Sequence, residues 1–503
     1  MKISRHFIVL ILALLFSWLF FKRSTGLNLL IFDSIALSVL YFLDREKFQH
    51  TTVRILFMGT LIAATCVTWH NTAWSIFAHH MSFGLLGGVL AGPRLKNLVN
   101  IAFAGILNII LSVQSYFNTR KTTPLHAQPK TLKRVWYAVR VGFIPVIVVA
   151  IFGTLYAKSS PWFNTFWLKF NALLRSLFGD LFEMFSFTWL FTFVFGAYLT
   201  IYLFFATDND RVADAEMQQP DDLTRKRKRY RGSILALKRE LHIAILLFAT
   251  LNLLLLGQNI LDIIHVWFGF SWNGDYLKQF VHEGTYLLIF SIIISAGLVI
   301  FYFRNNLNHY KNNRLLRWLA SLWLAQNVVL AASVAVRNMH YINYFNLAYK
   351  RIGIFFFLIA VIYGLYTVYR KVNRKKTINY LIRTNAMSIY IIILSIGLFN
   401  WDTIIARYNF KHAQEAYIHL NFLSKLSASA LPYLEHDIAF LETVRYEQDE
   451  TYGRDVYAIT PETYVGRIET KKTNFLTVYA RRHWLEWNYD DWRAYKKLTS
   501  AAN

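Results

Sequence analysis

VHEGTYLLIFSIIISAGLVIFYF, residues 281–303, decides the fold class. From Gly284 to Phe303 it carries no charged side chain. A helix rising about 1.5 Å per residue turns such a run into about 30 Å, the thickness of a bilayer's hydrocarbon core. In lipid a helix satisfies its own backbone N–H and C=O groups, so the stretch is expected to be a spanning helix. Working outward with the same ruler gives about twelve candidate spans, near 7–21, 27–43, 53–70, 73–91, 98–116, 138–156, 184–205, 243–264, 281–303, 315–336, 352–369 and 385–401. The first, second and last are short enough to tilt or to thin the bilayer. The opening MKISRHFIVLILALLFSWLFF has no small-residue cleavage site before Lys22 and Arg23, and reads as a retained span.

Composition agrees. Of 503 residues 55% are hydrophobic and only 17% charged, against about a quarter charged in ordinary soluble chains. Phe (42), Tyr (29) and Trp (15) suit spans and interfacial belts, and one cysteine, Cys66, excludes an intramolecular disulfide and a cysteine-based zinc site. The expected fold is therefore all-α: a polytopic transmembrane bundle over residues 1–401 and a small, mainly helical non-membrane appendage over 402–503.

The net charge of +25 is uneven: residues 1–401 hold 41 basic and 15 acidic groups, residues 402–503 hold 13 and 14. The excess sits in short connections near 117–137, 206–242, 304–314 and 370–384, which the positive-inside rule places in the cytoplasm. No nucleic-acid surface is implied. Connections 265–280 and 337–351, and everything after 401, then face outward. Twelve spans in this orientation put the N-terminus outside, although Lys2 and Arg5 favour inside; one span more or fewer before residue 116 would remove the conflict. The basic cluster Arg225, Lys226, Arg227, Lys228, Arg229 and Arg231, in the cytoplasmic loop of about 206–240, reads as a topology signal or a site for anionic lipid. Residues of about 161–182 place Phe163, Phe166, Trp167, Phe170 and Leu174 at helical spacing, as in an amphipathic interfacial helix or one packed on the bundle.

Three carboxylates fall in or at the edge of spans, Asp33, Asp262 and Glu283, and ionisable groups at such depth are costly. Offsets of four and three put Gln258, Asp262 and His265 on one helical face. With this topology Asp262, His265, His282, Glu283, Arg337, Asn338, His340, Tyr341, Lys350, Arg351 and Asp402 gather at the outward ends of spans. Two readings of that vestibule compete: carboxylates neutralised by Arg337, Lys350 or Arg351 to lock helix ends, and a pocket that binds or couples to a ligand. Asp262, His265, His282 and Glu283 are of metal-ligand type but lack the spacing of a known site, and His79 and His80, adjacent on a helix, read as polar packing. No metal, cofactor or catalytic residue is assigned, and no Walker loop, dinucleotide fingerprint, nucleophile elbow or kinase motif occurs. In the appendage, 403–445 reads as helices with Pro432 opening or breaking one, 446–470 as loop or short extended structure, and the Trp-rich end as a helix on the membrane, on the bundle or in its own core.

The stretches LNLLLLGQNILDIIHVWF, FVHEGTYLLIFSIIIS, AQNVVLAASVAVRNMHYINYFNLAYKRIGIFFFL and NWDTIIARYNF, with the early TGLNLLIFD, resemble the bacterial multi-pass membrane proteins grouped as domain of unknown function 4173, related to the 4153 group. That resemblance implies a helical bundle in a bacterial cytoplasmic membrane with a C-terminal appendage, and no reaction. The functional expectation is an envelope protein that binds or moves a small or lipidic ligand through the outward pocket. The alternatives are a non-catalytic scaffold or signalling partner and, less favoured, a metal-dependent membrane enzyme. Beyond the lipid bilayer, the sequence identifies no partner.

Overall fold

The structure is a computed structural model that describes residues 4–122, 149, 152–153, 156–184, 187–207, 210–224, 234–270, 275–304, 306–452 and 459–500. The helices are α1 (Arg5–Phe20), α2 (Leu27–Leu43), α3 (Thr51–His70), α4 (Ala73–Leu90), α5 (Leu98–Thr122), α6 (Pro161–Met184), α7 (Phe187–Phe204), α8 (Asp210–Met217), α9 (Ile234–Asp262), α10 (Asp275–Tyr302), α11 (Arg314–Phe345), α12 (Tyr349–Arg374), α13 (Ile378–Gly397), α14 (Trp401–Lys411), α15 (Ile438–Tyr452), α16 (Pro461–Ala480) and α17 (Tyr489–Ser500). Among the described residues seven helical segments are long and apolar enough to cross a membrane: Thr51–His70, Leu98–Thr119, Leu237–Phe268, Gly284–Tyr302, Arg314–Phe345, Tyr349–Arg374 and Ile378–Gly397. Three shorter apolar helices, Arg5–Phe20, Leu27–Leu43 and Thr188–Phe204, and the His-bearing α4 fall at further expected spans. Most of the expected span 138–156, and the basic cluster 225–231, lie outside the described residues.

The chain divides into two compact units, Met1–Ser24 with Leu107–Thr207, and Thr25–Ile106 with Asp208–Asn503. In the first, α1 and α7 run antiparallel. Arg5 Nη1 donates to Phe204 O at 3.0 Å, and eleven residues along α1 a Cβ on Gly196 would fall 2.6 Å from Phe16 Cβ, so glycine permits the close approach. The later part of α5 meets this same end: Asn108 Nδ2 donates to Tyr202 O at 2.9 Å, Thr207 Oγ1 to Leu111 O at 3.2 Å, and His6 Nε2 lies 3.1 Å from Tyr116 O. In α6, Phe163 and Trp167 stack with ring centroids 6.3 Å apart, as do Phe166 and Phe170 at 6.2 Å, which is the aromatic stripe read from the sequence.

In the second unit the helix termini sort into two ends. At one, Lys47 Nζ donates to Leu90 O at 2.8 Å, where α4 has used up its own donors. Glu216 of α8 accepts from the Lys96 and Asn97 amides at 2.8 and 3.0 Å and from Asn100 Nδ2 at 2.8 Å, a carboxylate at the positive end of α5. The segment after α8 pairs with the turn before α13: Leu223 N donates to Lys375 O at 2.8 Å, Thr377 N to Asp221 O at 2.8 Å, and Arg383 Nη2 to Asp221 Oδ2 at 2.5 Å. Lys371 Nζ reaches Phe303 O at 2.8 Å, bringing the α10–α11 turn to this end. Connections 44–50, 91–97, 210–224, 303–313 and 371–379 thus lie together.

At the other end the appendage docks. Leu27 N donates to Trp487 O at 2.9 Å, His70 Nδ1 lies 2.7 Å from Asp490 Oδ2 and its Nε2 2.9 Å from Leu398 O, and Asn400 Nδ2 donates to Asp490 Oδ2 at 2.6 Å. Asn409 Nδ2 and Oδ1 clamp Leu347 O and N at 3.0 and 2.8 Å. An apolar core gathers Ile405, Leu423, Leu431, Leu434, Tyr464, Ile468 and Leu498 of the appendage together with Ile352 of α12.

Three expectations on boundaries change. The span expected at 385–401 is α13, which starts at Ile378 because the Thr377 hydroxyl accepts from Tyr380 N at 3.4 Å and caps it. Residues expected to be loop or extended over 446–470 are largely helical, in α15 and α16. Thr460 caps α16, Pro461 opens it, and Tyr464, Ile468 and Phe475 form its buried stripe. Pro432 sits inside a 3-10 turn, Ala428–Tyr433, rather than opening an α-helix.

Candidate functional site

The polar groups of the apolar helices are not scattered. In α9 the amides Asn252 and Asn259, seven residues apart, share a face. Asn252 Nδ2 donates to Leu319 O at 3.0 Å, Gln326 Nε2 donates to Asn252 Oδ1 at 2.8 Å, and Asn259 Nδ2 donates to Gln326 O at 3.2 Å. One turn beyond, Asp262 Oδ1 accepts from Gln258 Nε2 at 3.0 Å and from Arg337 Nη2 at 2.5 Å. The pair is deeply buried, with side chains 3% and 5% exposed. A Cβ on Gly284 would lie 3.8 Å from Arg337 Nη1, so the start of the apolar part of α10 passes over the guanidinium.

This ladder is rich in acceptors without a partner among the described residues. Asn259 Oδ1, Gln326 Oε1, Asp262 Oδ2 and, on the next face of α11, Asn327 Oδ1 are buried without a hydrogen-bond partner among the described residues. The amide orientations follow from the carbonyls that Asn259 and Asn327 donate to and from Asn252 Oδ1 beneath Gln326. A buried oxygen without a partner costs about 1–3 kcal/mol, and several in one place form a site that favours a donor-bearing guest or water.

The residues expected in the vestibule fall into three groups. Asp262 and Arg337 form the pair above. Asn338 Nδ2 donates to Arg351 O at 2.9 Å, the Arg351 guanidinium sits 4.6 Å from the Tyr341 ring centre, and its Nη1 donates to Phe345 O at 2.6 Å and to Asn346 O. Arg351 therefore closes the α11–α12 turn through carbonyls and a ring. Asp402 accepts from the Tyr349 hydroxyl and, at 2.8 Å, from Ser427 N. Nearby Lys471 has its pKa pulled down by burial and partly restored by Asp402.

Others depart from expectation. His265 is exposed, whereas Asp262 is buried. Residues Ile263–Phe268 form a π-helix, whose wider turn, about 4.4 residues, carries position i+3 off the α-helical face. His340 Nε2 instead lies 2.9 Å from Val266 O within that segment, its ring stacked on Phe270 with centroids 4.0 Å apart. Lys350 is exposed. The side chains of His282 and Glu283 lie outside those described. Among the described residues no group of three or more His, Cys, Asp or Glu could hold a metal ion.

Sequence reasoning missed a second buried pair. Asp33 Oδ2 of α2 lies 2.6 Å from His79 Nε2 of α4, side chains 1% and 6% exposed, whereas His79 was read as packing alone. Nearby on α4, Ser82 Oγ accepts from the Tyr390 hydroxyl of α13 at 3.2 Å. The signal for Asn252 and Asn259 was legible as two amides seven apart in an apolar run. The Asp33–His79 pairing had no such cue, because its partners sit 46 residues apart.

No curated protein and no solved structure matches the chain. The resemblance read from the sequence narrows to one of its two groups, since the 4173 group is not the one that matches. Residues 34–436, from α2 through the start of the appendage, match Domain of unknown function (DUF4153), and the chain belongs to that family.

Proposed function

We propose that this protein is a multi-pass protein of the bacterial cytoplasmic membrane that binds or moves a small polar ligand in the α9–α11 ladder. The supporting observation is the row of buried oxygens without a partner among the described residues, Asn259 Oδ1, Gln326 Oε1 and Asp262 Oδ2, ending at the Asp262–Arg337 pair. A purely structural lock would favour full satisfaction of its members. With the basic connections in the cytoplasm, the ends 44–50, 91–97, 210–224 and 371–379 are cytoplasmic and the appendage is extracytoplasmic. Asn97 and Glu216 then meet on the cytoplasmic side, so the chain between them crosses an even number of times rather than three. One span fewer also puts Lys2 and Arg5 inside.

The experiment is a high-resolution density map of the purified protein, paired with complementation of a deletion strain by Asp262→Asn and by Asn259→Leu. Density against Asp262 Oδ2 and Asn259 Oδ1, with loss of complementation in stably inserted variants, is the expected result. A dry ladder whose amides satisfy one another, with both variants complementing fully, would leave the scaffold reading in its place.

A further inference from the structure

The appendage carries a groove of about 790 Å³ between α16 and the segment 424–428. One face of α16 enters the appendage core; the other lines this groove. Lys425, Arg467 and Lys471 all line it, and no carboxylate does. Two of these cations are held in place. Lys471 Nζ donates to Ser424 O and Leu426 O at 2.5 and 2.7 Å, and Arg467 Nη1 donates to Asn421 Oδ1 at 3.0 Å. Lys425 is exposed. Towards the C-terminal end of α16 the wall becomes apolar with Val478, 57% exposed, beside the edge of Phe475, whose ring is otherwise buried in the core. Gly466 is mid-helix, where glycine is unfavourable, yet a Cβ there would meet nothing within 4 Å. No packing among the described residues requires a glycine at that point, and its bare backbone leaves room for a guest to approach.

We propose that this groove binds an anionic lipid, its phosphate held by Lys425 and Arg467 against the open backbone at Gly466 and its hydrocarbon chain laid along Phe475 and Val478. Charge fixes the sign of the guest. The apolar part of the wall favours a hydrocarbon chain over an acidic peptide, whose backbone groups would lose their hydrogen bonds to water there. The site is separate from the α9–α11 ladder, and neither depends on the other.

The test uses the full chain in neutral detergent, titrated with palmitoyl-lysophosphatidylglycerol or palmitoyl-lysophosphatidylcholine and read by native mass spectrometry. The anionic lipid is expected to bind roughly tenfold tighter or more, and Lys425→Glu to reduce that affinity by a similar factor. Gly466→Leu, whose Cβ has no described atom within 4 Å, is expected to remove one bound lipid per chain while other sites on the bundle remain. Equal affinity for the two lipids, or unchanged stoichiometry in Gly466→Leu with Lys425→Glu also without effect, overturns the proposal. So does a hexaglutamate peptide that binds more tightly than the lipid.

Discussion

Replacing Asp262 by Asn removes the charge opposite Arg337 while keeping an oxygen for Gln258. The geometry sets the magnitude. The side chains are 3% and 5% exposed, so water does not take over the solvation of the guanidinium, and breaking one side of such a pair costs about 3–5 kcal/mol. Replacing both partners, Asp262→Asn with Arg337→Met, removes both desolvation penalties and is expected to return to within about 1–2 kcal/mol of the parent. Arg337→Met alone strands the carboxylate and is expected to cost a similar amount, about 3–5 kcal/mol, so the double-mutant cycle should give a coupling of about 4–9 kcal/mol. The assay is unfolding of the purified protein in mixed micelles of rising dodecyl sulfate content, followed by circular dichroism. A cost below about 1 kcal/mol for Asp262→Asn would refute the argument that the pair is sealed from solvent. Strict additivity of the two substitutions would refute the pairing itself.

Glu216→Ala takes away the acceptor shared by the Lys96 and Asn97 amides, so hydrogen exchange at those amides should quicken, with a stability cost of about 0.5–2 kcal/mol. Unchanged protection there would mean that α8 does not cap α5. Asp490→Ala severs the links to His70 and Asn400, leaving Leu27 N to Trp487 O; trypsin should cut faster near Arg481 and Arg482, and an unaltered digestion rate counts against the latch. In the appendage, burial pulls the His436 imidazole below its ordinary 6.5, against the Tyr433 backbone and Asp437, which raise it. The unfolded chain therefore takes up its proton first as pH falls, so stability contributed by neutral His436 is present above 6.5 and declines through the window down to the lowered value. Protection factors of α15 and α16 amides, with the intrinsic pH dependence of exchange divided out, should fall between pH 7.5 and 5.5 in the parent and change less in His436→Gln; an identical change in both would contradict this.

What the sequence by itself determined is what depends on local runs. Residues 281–303 and their counterparts decide helix over strand, because a lipid-facing backbone has to satisfy its own hydrogen bonds within one segment. Charge density likewise marks a change of composition near residue 401. Capping was legible in Thr460 followed by Pro461, which opens α16, although the same two residues also read as loop signals. What only the tertiary structure decided is which polar groups meet. Asp33 and His79 come from different helices, and helical offsets speak only within one helix. The offset argument also failed inside one helix at His265, because the π-helical stretch Ile263–Phe268 changes the angle per residue. The grouping of 44–50 and 91–97 with 210–224 was equally hidden. Lys47 and Glu216 act on the termini of other helices, and which termini share an end depends on the direction of every helix between them.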